Sequence, residues 1–279
     1  MLPPDGLLQC PACGAALAHR DHALRCAAGH SYDIARQGYV NLLLGHLGPG
    51  TADTREMVAA RDAFLSAGHY APIEAAVAEA LAAAPAVRGG LIVDVGAGTG
   101  HYLRAVLERL PATSGLALDI SKDAIRRAVR SHPRIAGAVC DAWGRLPLAD
   151  GGATAVLSVF APRNPTEFAR ILAPGGCVVT VTPREEHLRE LAGPLDLVRI
   201  EAEKEERLAR TFGPHFDRAG TRAVRADLRI GHDEARQLVE MGPSARHGTR
   251  AGREAAIAAL PERLTATVSV TVSVWVKRG

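Results

Sequence analysis

The stretch Leu91-Ile92-Val93-Asp94-Val95-Gly96-Ala97-Gly98-Thr99-Gly100 decides the fold. Its first half is apolar apart from Asp94, which predicts a buried strand, and the second half is a glycine turn. A helical pattern follows at His101–Leu110. Glycines let the backbone take positive φ values and approach a ligand closely. The stretch therefore predicts a strand, a ligand-binding turn and a helix.

The glycine spacing discriminates between cofactors. Dinucleotide-binding folds use G-x-G-x-x-G, with amides at the helix start facing a pyrophosphate. Here the order is G-x-G-x-G, and Asp94 stands two residues before Gly96. A carboxylate at that position repels a pyrophosphate but can orient the amino-acid part of a cofactor.

Two further acidic residues follow the next strands in order. Asp119 ends the second predicted strand, where it can accept hydrogen bonds from ribose hydroxyls. After the third strand, Asp141 can take an adenine amino group while Ala142 and its neighbours pack the ring. This series, with Gly96, Gly98 and Gly100, resembles the class I S-adenosylmethionine methyltransferases. Its alternative is another Rossmann-like domain with a glycine turn.

The chain after residue 90 predicts an α/β fold. Apolar strands alternate with helices, which indicates a parallel sheet covered on both faces. Polar and apolar residues then alternate at Thr221–Ile230 and Thr265–Lys277, which predicts an antiparallel edge pair. The predicted parallel strands are Leu91–Val95, Gly115–Asp119, Ile135–Val139, Ala153–Phe160 and Gly176–Thr182, and the later helices are Lys122–Arg130, Pro165–Leu172, Glu185–Leu191 and Glu201–Arg210.

Composition limits the class of protein. The chain has 279 residues, 47% of them hydrophobic, and a formal net charge of +3, which permits an anionic partner without requiring one. No signal peptide is visible, and no apolar run is long enough to span a membrane. We therefore expect a cytoplasmic protein without a membrane partner.

Cysteine spacing predicts a metal site. Cys10-x-x-Cys13 is followed after twelve residues by Cys26-x-x-x-His30, and Gly14 and Gly29 lie where tight turns are needed. Four such ligands suit a closed tetrahedral zinc site, which is structural because no position stays open. The alternative is a set of coincidental buried cysteines. Cys140 and Cys177, beside predicted strands, are expected to be small buried residues.

Together, the metal-ligand pattern and the series of glycines and acidic residues resemble the bacterial 23S rRNA guanine-N1 methyltransferases. The resemblance extends over essentially the whole chain. Within that family the chain looks most like the branch that confers tylosin and mycinamicin resistance on macrolide producers. The motifs that carry the resemblance are Cys26-x-x-Gly29-His30-Ser31-Tyr32-Asp33, Gln37-Gly38-Tyr39-Val40-Asn41-Leu42-Leu43, Met57-Val58-x-Ala60-Arg61, Gly68-His69-Tyr70, Ala161-Pro162-Arg163-Asn164 and Met241-Gly242-Pro243-Ser244.

The resemblance implies more than the motifs alone. It implies transfer from S-adenosylmethionine to N1 of a guanine in the hairpin 35 loop of 23S rRNA, and a homodimer. It also implies that Tyr70, the Gly100-His101 pair and His187 contact the cofactor. From the residues alone, Tyr70 would more often be a core aromatic and His187 a solvated helix residue.

The catalytic residues stay open at this stage. Arg163 and Asn164 follow the fourth strand, where this class grips the target base, and His187 is a third candidate. The alternative is that Ala161–Pro165 is only a rigid loop before a helix. The predicted organisation is a zinc module with RNA contact at residues 1–45, a helical linker at 46–85 and a methyltransferase domain at 86–279. A small-molecule methyltransferase and an inactive RNA-binding protein are the rival functions.

Overall fold

The computed structural model describes residues 3–45, 52–87, 89–197, 204–246 and 249–279. The strands are β1 (Leu17–Arg20), β2 (Ala23–Cys26), β3 (Ser31–Asp33), β4 (Tyr39–Asn41), β5 (Leu91–Val95), β6 (Ser114–Asp119), β7 (Ile135–Val139), β8 (Ala153–Val159), β9 (Leu172–Pro183), β10 (Phe216–Ile230) and β11 (Leu264–Lys277). The helices are α1 (Arg55–Ser66), α2 (Ala71–Ala82), α3 (His101–Arg109), α4 (Lys122–Ser131), α5 (Pro165–Ile171), α6 (Arg189–Ala192), α7 (Lys204–Phe212), α8 (His232–Glu240) and α9 (Arg250–Ala258).

An eight-stranded sheet with the order β10-β11-β9-β8-β5-β6-β7-β4 forms the centre of the chain. Neighbouring strands from β4 to β9 run parallel, whereas β11 is antiparallel to both β9 and β10. The central strand β5 pairs with β6 on one side and β8 on the other. Chain order reverses there, and α/β sheets bind ligands at the carboxyl ends of strands at such a switch point.

Both faces of the sheet are covered, as the continuous apolar strands predict. On β5, Ile92 packs into one hydrophobic cluster, together with α2 and α3. Val93 and Val95 pack into a second cluster on the opposite face. That second cluster also contains Leu17 and Leu24 from the N-terminal module, which therefore packs directly on the central sheet.

The N-terminal segment makes a small antiparallel sheet of its own, with the order β1-β2-β3. Two backbone contacts fasten it to the loop before β8: the Gln9 amide donates to Pro147, and the Ala149 amide donates to Leu7. β4, from the same segment, joins the large sheet beside β7. The large sheet thus contains a strand from before residue 45. With three residues, β4 is too short for its pattern to be read from sequence.

One predicted helix and one predicted strand need correction. The predicted helical linker contains α1 and α2, which are separated around Gly68, whereas Pro72 lies in the first turn of α2. Only Arg189–Ala192 is helical where Glu185–Leu191 was predicted, because Leu188 takes a positive φ of 57°. β9 begins at Leu172 rather than at the predicted Gly176, because Leu172 pairs with Ala153.

Ser121 caps α4, since its hydroxyl accepts a hydrogen bond from the Ala124 amide. Among the described residues, no helix is both long and apolar enough to cross a membrane.

Candidate metal and cofactor sites

The four predicted metal ligands lie together. The Sγ atoms of Cys10, Cys13 and Cys26 and a ring nitrogen of His30 are all within 4.8 Å of one another. The Sγ atoms of Cys13 and Cys26 are 3.7 Å apart, and His30 Nδ1 lies 3.4 Å from Cys26 Sγ. A tetrahedral zinc with ordinary bond lengths has edges of about 3.8 Å between sulfurs and about 3.5 Å from sulfur to nitrogen. The cluster therefore fits a zinc ion.

Two tight turns present the ligands. The Gly14 amide donates to the Cys10 carbonyl at 2.8 Å, and the Gly29 amide donates to the Cys26 carbonyl at 3.0 Å. Both glycines have positive φ, which residues with a side chain adopt at a cost. The hydroxyl of Tyr32 lies 3.2 Å from Cys10 Sγ and donates to it when that sulfur is a thiolate. Sequence reasoning missed this supporting contact.

The other cysteines and the nearby histidine behave differently. Cys140 and Cys177 are buried and lie outside the cluster. His19 contacts Asp5 through its Nδ1 at 2.6 Å and is not one of the clustered ligands.

The glycine turn after β5 is tightly enclosed. A methyl group built on Gly100 would lie 2.9 Å from Ala128 Cα in α4, and one built on Gly96 would lie 2.6 Å from Ala161 Cβ. At Gly98 the nearest atoms belong to the flexible Arg61 side chain, at 3.3 Å. The turn thus needs glycine at Gly96 and Gly100 for packing as well as for backbone geometry.

Asp94 is a buried acid without a partner. It is 2% exposed, and its Oδ2 makes no hydrogen bond within the described part of the chain. Burial, and secondarily the charge of Asp119, raises its pKa to about 8. The hydroxyl of Thr99, in the same turn, is also buried and unpartnered. Unpaired polar groups in an interior are costly, so this site fits a ligand that brings a cationic or hydrogen-bonding group such as the amino group of S-adenosylmethionine.

Asp119 joins the end of β6 to the glycine turn. Its Oδ2 accepts from the Gly98 amide and its Oδ1 from the Ser121 amide, both at 2.8 Å. Burial raises the pKa of this carboxyl despite those bonds. Each oxygen has a second lone pair, so the carboxylate can still accept hydrogen bonds from ribose.

Asp141 and Ala142 follow β7 at the same edge of the sheet. Asp141 is exposed, and its Oδ1 accepts from the Trp143 amide at 2.9 Å. Because β5, β6 and β7 are adjacent parallel strands, their carboxyl ends bring Asp94, Asp119 and Asp141 to one edge in the predicted order.

The residues implied by the resemblance divide into two groups. Tyr70 and His187 meet, with the Tyr70 hydroxyl 3.4 Å from His187 Nε2. The buried ring of His101 instead contacts Glu74, Nε2 to Oε1 at 2.8 Å. His101 is also the first residue of α3, so its backbone amide is one of the free donors at a helix start. A cofactor contact from His101 would therefore use its backbone.

Arg163 and Asn164 both contact other protein groups, while Nε of Arg163 is buried without a hydrogen-bond partner among the described residues. Burial lowers the pKa of Arg163, and its Nη2 donates to the Val181 carbonyl at 3.2 Å. Asn164 caps α5 through its Oδ1, and its Nδ2 contacts the carbonyls of Trp143 and Gly144.

Two further residues lie at this site without having been singled out from the sequence. Arg61 packs against Gly98 and donates to Asp53 and to the Met241 carbonyl. Phe160 is exposed at the end of β8. Arg61 stands in a motif that carries the resemblance, which was the available signal, whereas Phe160 was taken as the end of a buried strand.

Comparison with known proteins identifies the family. A protein of Micromonospora griseorubida, assigned as a 23S rRNA (guanine-N(1)-)-methyltransferase, is 49% identical over 97% of this chain and 98% of its own length. The 23S rRNA (guanine(748)-N(1))-methyltransferase of Streptomyces fradiae is 49% identical over 96% of this chain and 95% of its own. The chain belongs to the 23S rRNA guanine-N1 methyltransferase family. YxjB of Bacillus subtilis, assigned to the same activity, is 32% identical over 66% of this chain.

Two family models match parts of the chain, and solved structures share its fold. Residues 8–44 match the zinc ribbon described as "RlmA, N-terminal", and residues 92–176 match "Methyltransferase domain". A Bacillus halodurans protein assigned as a methyltransferase covers 73% of this chain with a TM-score of 0.53 at 15% identity. A methyltransferase in complex with the Haloferax volcanii Trm112 activator covers 82% with a TM-score of 0.54 at 20% identity. The predicted class I methyltransferase fold and zinc module are confirmed.

The cofactors follow from these findings. The enzyme is an S-adenosylmethionine-dependent methyltransferase, and the ion of its ribbon is a structural zinc.

Proposed function

We propose that this enzyme methylates N1 of a guanine in the hairpin 35 loop of 23S rRNA and so confers resistance to tylosin- and mycinamicin-type macrolides. The observation that carries this proposal is the 49% identity, over nearly the whole of both chains, with the Streptomyces fradiae enzyme named for guanine 748. The identity with the Bacillus subtilis relative is 32% over two thirds of the chain. The guanine number in the name of the Streptomyces fradiae relative favours that position over housekeeping methylation of the neighbouring guanine.

The proposed cofactor contacts follow the strand order. Asp94 holds the amino group, Asp119 the ribose hydroxyls, and Asp141 with Ala142 the adenine. Gly96, Gly98 and Gly100 shape the turn, the His101 amide adds a donor at the start of α3, and Tyr70 and His187 close the site from the other side. The unpartnered Oδ2 of Asp94 supports its part in this assignment.

Guanine N1 carries a proton at neutral pH, so transfer requires its loss as the new bond forms. S-adenosylmethionine supplies a methyl group on a sulfonium, which is an activated electrophile. The protein contributes chiefly by aligning the base and excluding water. Ser269 donates its amide to His187 Nδ1 at 3.2 Å, so the neutral ring carries its proton on Nε2. In that state Nε2 is a donor with the Tyr70 hydroxyl 3.4 Å away, and Nδ1 is already an acceptor, so His187 is not suited to remove the proton of the base.

We propose that Arg163 and Asn164 hold in place the loop that follows β8, on the side where the substrate binds. Their contacts with Val181, Trp143 and Gly144 hold the segment after β8 in place. A direct contact from Asn164 Nδ2 to the base would compete with its contacts to the carbonyls of Trp143 and Gly144.

We also propose that the zinc ribbon holds the RNA hairpin. Arg20, Arg25 and Arg36 are exposed on or beside it, and such residues bind phosphates in a salt-dependent way. His46, the other residue predicted for this surface, lies outside the described residues. A homodimer in the cytoplasm is part of the same proposal, and light scattering of the zinc-loaded protein tests the dimer.

The test uses purified zinc-loaded enzyme, labelled S-adenosylmethionine and unmodified 23S rRNA. N1-methylguanine stops primer extension, so the expected result is one new stop in the hairpin 35 loop, at the guanine of the resistance branch. Asp94→Asn protein, at a cofactor concentration limiting for wild type, serves as the control with weakened cofactor binding. A stop at the neighbouring guanine would replace resistance by housekeeping methylation. Absence of label in RNA from protein that binds the cofactor would favour a small-molecule methyltransferase.

A further inference from the structure

Phe160 is an aromatic side chain exposed at the active edge of the sheet. It is 42% exposed and follows the last residue of β8, next to β5, the strand that contains Asp94. Burying a phenylalanine is among the larger favourable terms in folding. A ring left in solvent beside a cofactor site therefore indicates a surface that a ligand covers.

The backbone at Phe160 is strained. Its φ is 52°, in the left-handed region that residues with a Cβ seldom occupy. Neighbouring contacts enforce this conformation: the Phe160 amide donates to the Val181 carbonyl at 3.4 Å, and Ala161 packs against Gly96. Strain of this kind persists only where the surroundings over-determine it, and it concentrates at functional sites.

The ring also has a defined place among other rings. It is stacked with His187, with centroids 6.0 Å apart and planes at 20°, and its centroid lies 6.2 Å from that of Tyr70. These contacts hold one side of the ring while the remainder of its surface faces solvent. A flat apolar face held in one orientation is suited to another flat aromatic ring.

In the described part of the chain, the exposed large apolar side chains all lie beyond the carboxyl ends of the parallel strands. They are Leu44, Trp143 and Phe160, which are 58%, 68% and 42% exposed. Leu44 and Trp143 follow β4 and β7, so all three lie beyond the carboxyl ends of parallel strands. Phe160 alone among them sits beside the central strand β5, across from the turn that receives the cofactor.

We propose that Phe160 is a stacking platform for the base that is methylated. The inference rests on the proposed function and adds a residue that positions the substrate. The ligand is a nucleobase extruded from a single-stranded loop, since sequence-specific RNA recognition commonly stacks unpaired bases on aromatic side chains. A phenyl ring makes no hydrogen bonds to the base, so it holds the base plane and leaves the base edge to other groups.

The first experiment compares Phe160→Leu with Phe160→Tyr in the hairpin methylation assay. Loss of the ring should lower kcat/KM for RNA about 5- to 150-fold, the value of one base stack, whereas tyrosine should stay within about threefold of wild type. Affinity for S-adenosylmethionine, measured by calorimetry, should stay within about twofold in both variants. Unchanged kcat/KM in Phe160→Leu would overturn the proposal. A large loss of cofactor affinity would overturn it too, because the ring would then cover the cofactor.

A second comparison separates the ring from the backbone. Phe160→Ala and Phe160→Gly both lack the ring, but only glycine relieves the positive φ. We expect Tm to be about 2–4 °C higher for the glycine variant and RNA methylation to be equally low in both. Recovery of activity in Phe160→Gly would assign the defect to the backbone and overturn the stacking role.

A third readout observes the base directly. 2-Aminopurine at the mapped target position is bright when unstacked and quenched when it stacks on a ring. Wild-type enzyme should quench it further than Phe160→Leu does at saturating protein; equal quenching would contradict the proposal. Methylation of unmodified RNA by the wild-type enzyme is measured in parallel. If the wild-type enzyme methylates no RNA, the proposed function itself fails, and that result is distinct from failure of the stacking role.

Discussion

The hydroxyl oxygen of Tyr70 lies 3.4 Å from Nε2 of His187, although the two residues are 117 positions apart. Tyr70 precedes α2, and His187 follows β9 in a turn held by the Ser269 amide. The pair thus connects the helices α1 and α2 with the end of β9. Burial raises the pKa of Tyr70, so its hydroxyl stays neutral at all working pH values.

This pairing predicts coupled effects on the cofactor. Tyr70→Phe and His187→Ala should each weaken S-adenosylmethionine binding about 3- to 10-fold, since each removes one partner of a hydrogen bond at the site. The double variant should lose less than the product of the two, with a coupling of about 0.5–1.5 kcal/mol by calorimetry. Full additivity would mean that the two side chains act separately.

The unpartnered Asp94 predicts a pH-dependent stability. Its folded pKa of about 8 exceeds the unfolded value near 4, so the native state binds more protons between those pH values. The cofactor-free enzyme should therefore lose stability as pH rises from about 4 to about 8. In Asp94→Asn this loss is absent, so its Tm advantage over wild type should grow across that window and then level off. Thermal melts at several pH values check this.

The same substitution should damage binding. Without the negative charge, Asp94→Asn should bind S-adenosylmethionine at least about tenfold more weakly than wild type at pH 8.5. If Asp94→Asn is more stable than wild type without cofactor but binds S-adenosylmethionine more weakly, the buried carboxyl of Asp94 lowers the stability of the free enzyme and serves cofactor binding. Equal affinity in the two proteins would remove Asp94 from the cofactor site.

Because the zinc ribbon packs on the central sheet, we expect zinc binding to stabilise the whole chain against unfolding. Cys26→Ser should lose the single zinc measured by atomic emission and lower Tm by about 5–10 °C or more, because metal binding is linked to folding. Leu17 and Leu24 share a core cluster with Val93, so the loss should not stay local. Cys177→Ala, at a buried position outside the cluster, is the matched control and should keep one zinc.

The glycine turn predicts a graded pair of substitutions. Gly98→Ala should cost about 1–2 kcal/mol, because φ is positive but only the flexible Arg61 is near. Gly100→Ala should cost at least about 1 kcal/mol more, since its methyl group would lie 2.9 Å from the backbone of α4. Urea unfolding gives both values, and equal costs would mean that α4 can shift.

The strand pairing explains why part of the fold was predictable. The runs at Leu91–Val95 and Ile135–Val139 are buried on both faces, so their apolar composition identifies them without tertiary information. β4 has no such signal, because its position depends on pairing with β7 rather than on its own three residues. The turn at Leu188 was missed for a similar reason, since its amide bonds with Thr267 in a distant strand.

The candidate site also has a part that could be predicted from the sequence and a part that could not. By itself the sequence determined the metal ligands, the glycine turn and the order of Asp94, Asp119 and Asp141, because each is fixed by local spacing or by the ends of successive parallel strands. Only the tertiary structure decided that Arg163, Asn164 and the ring of His101 are occupied by other protein groups, and that Phe160 is left exposed. Hydrogen bonds and burial depend on segments far apart in the chain, and no local pattern encodes which of them a side chain will meet.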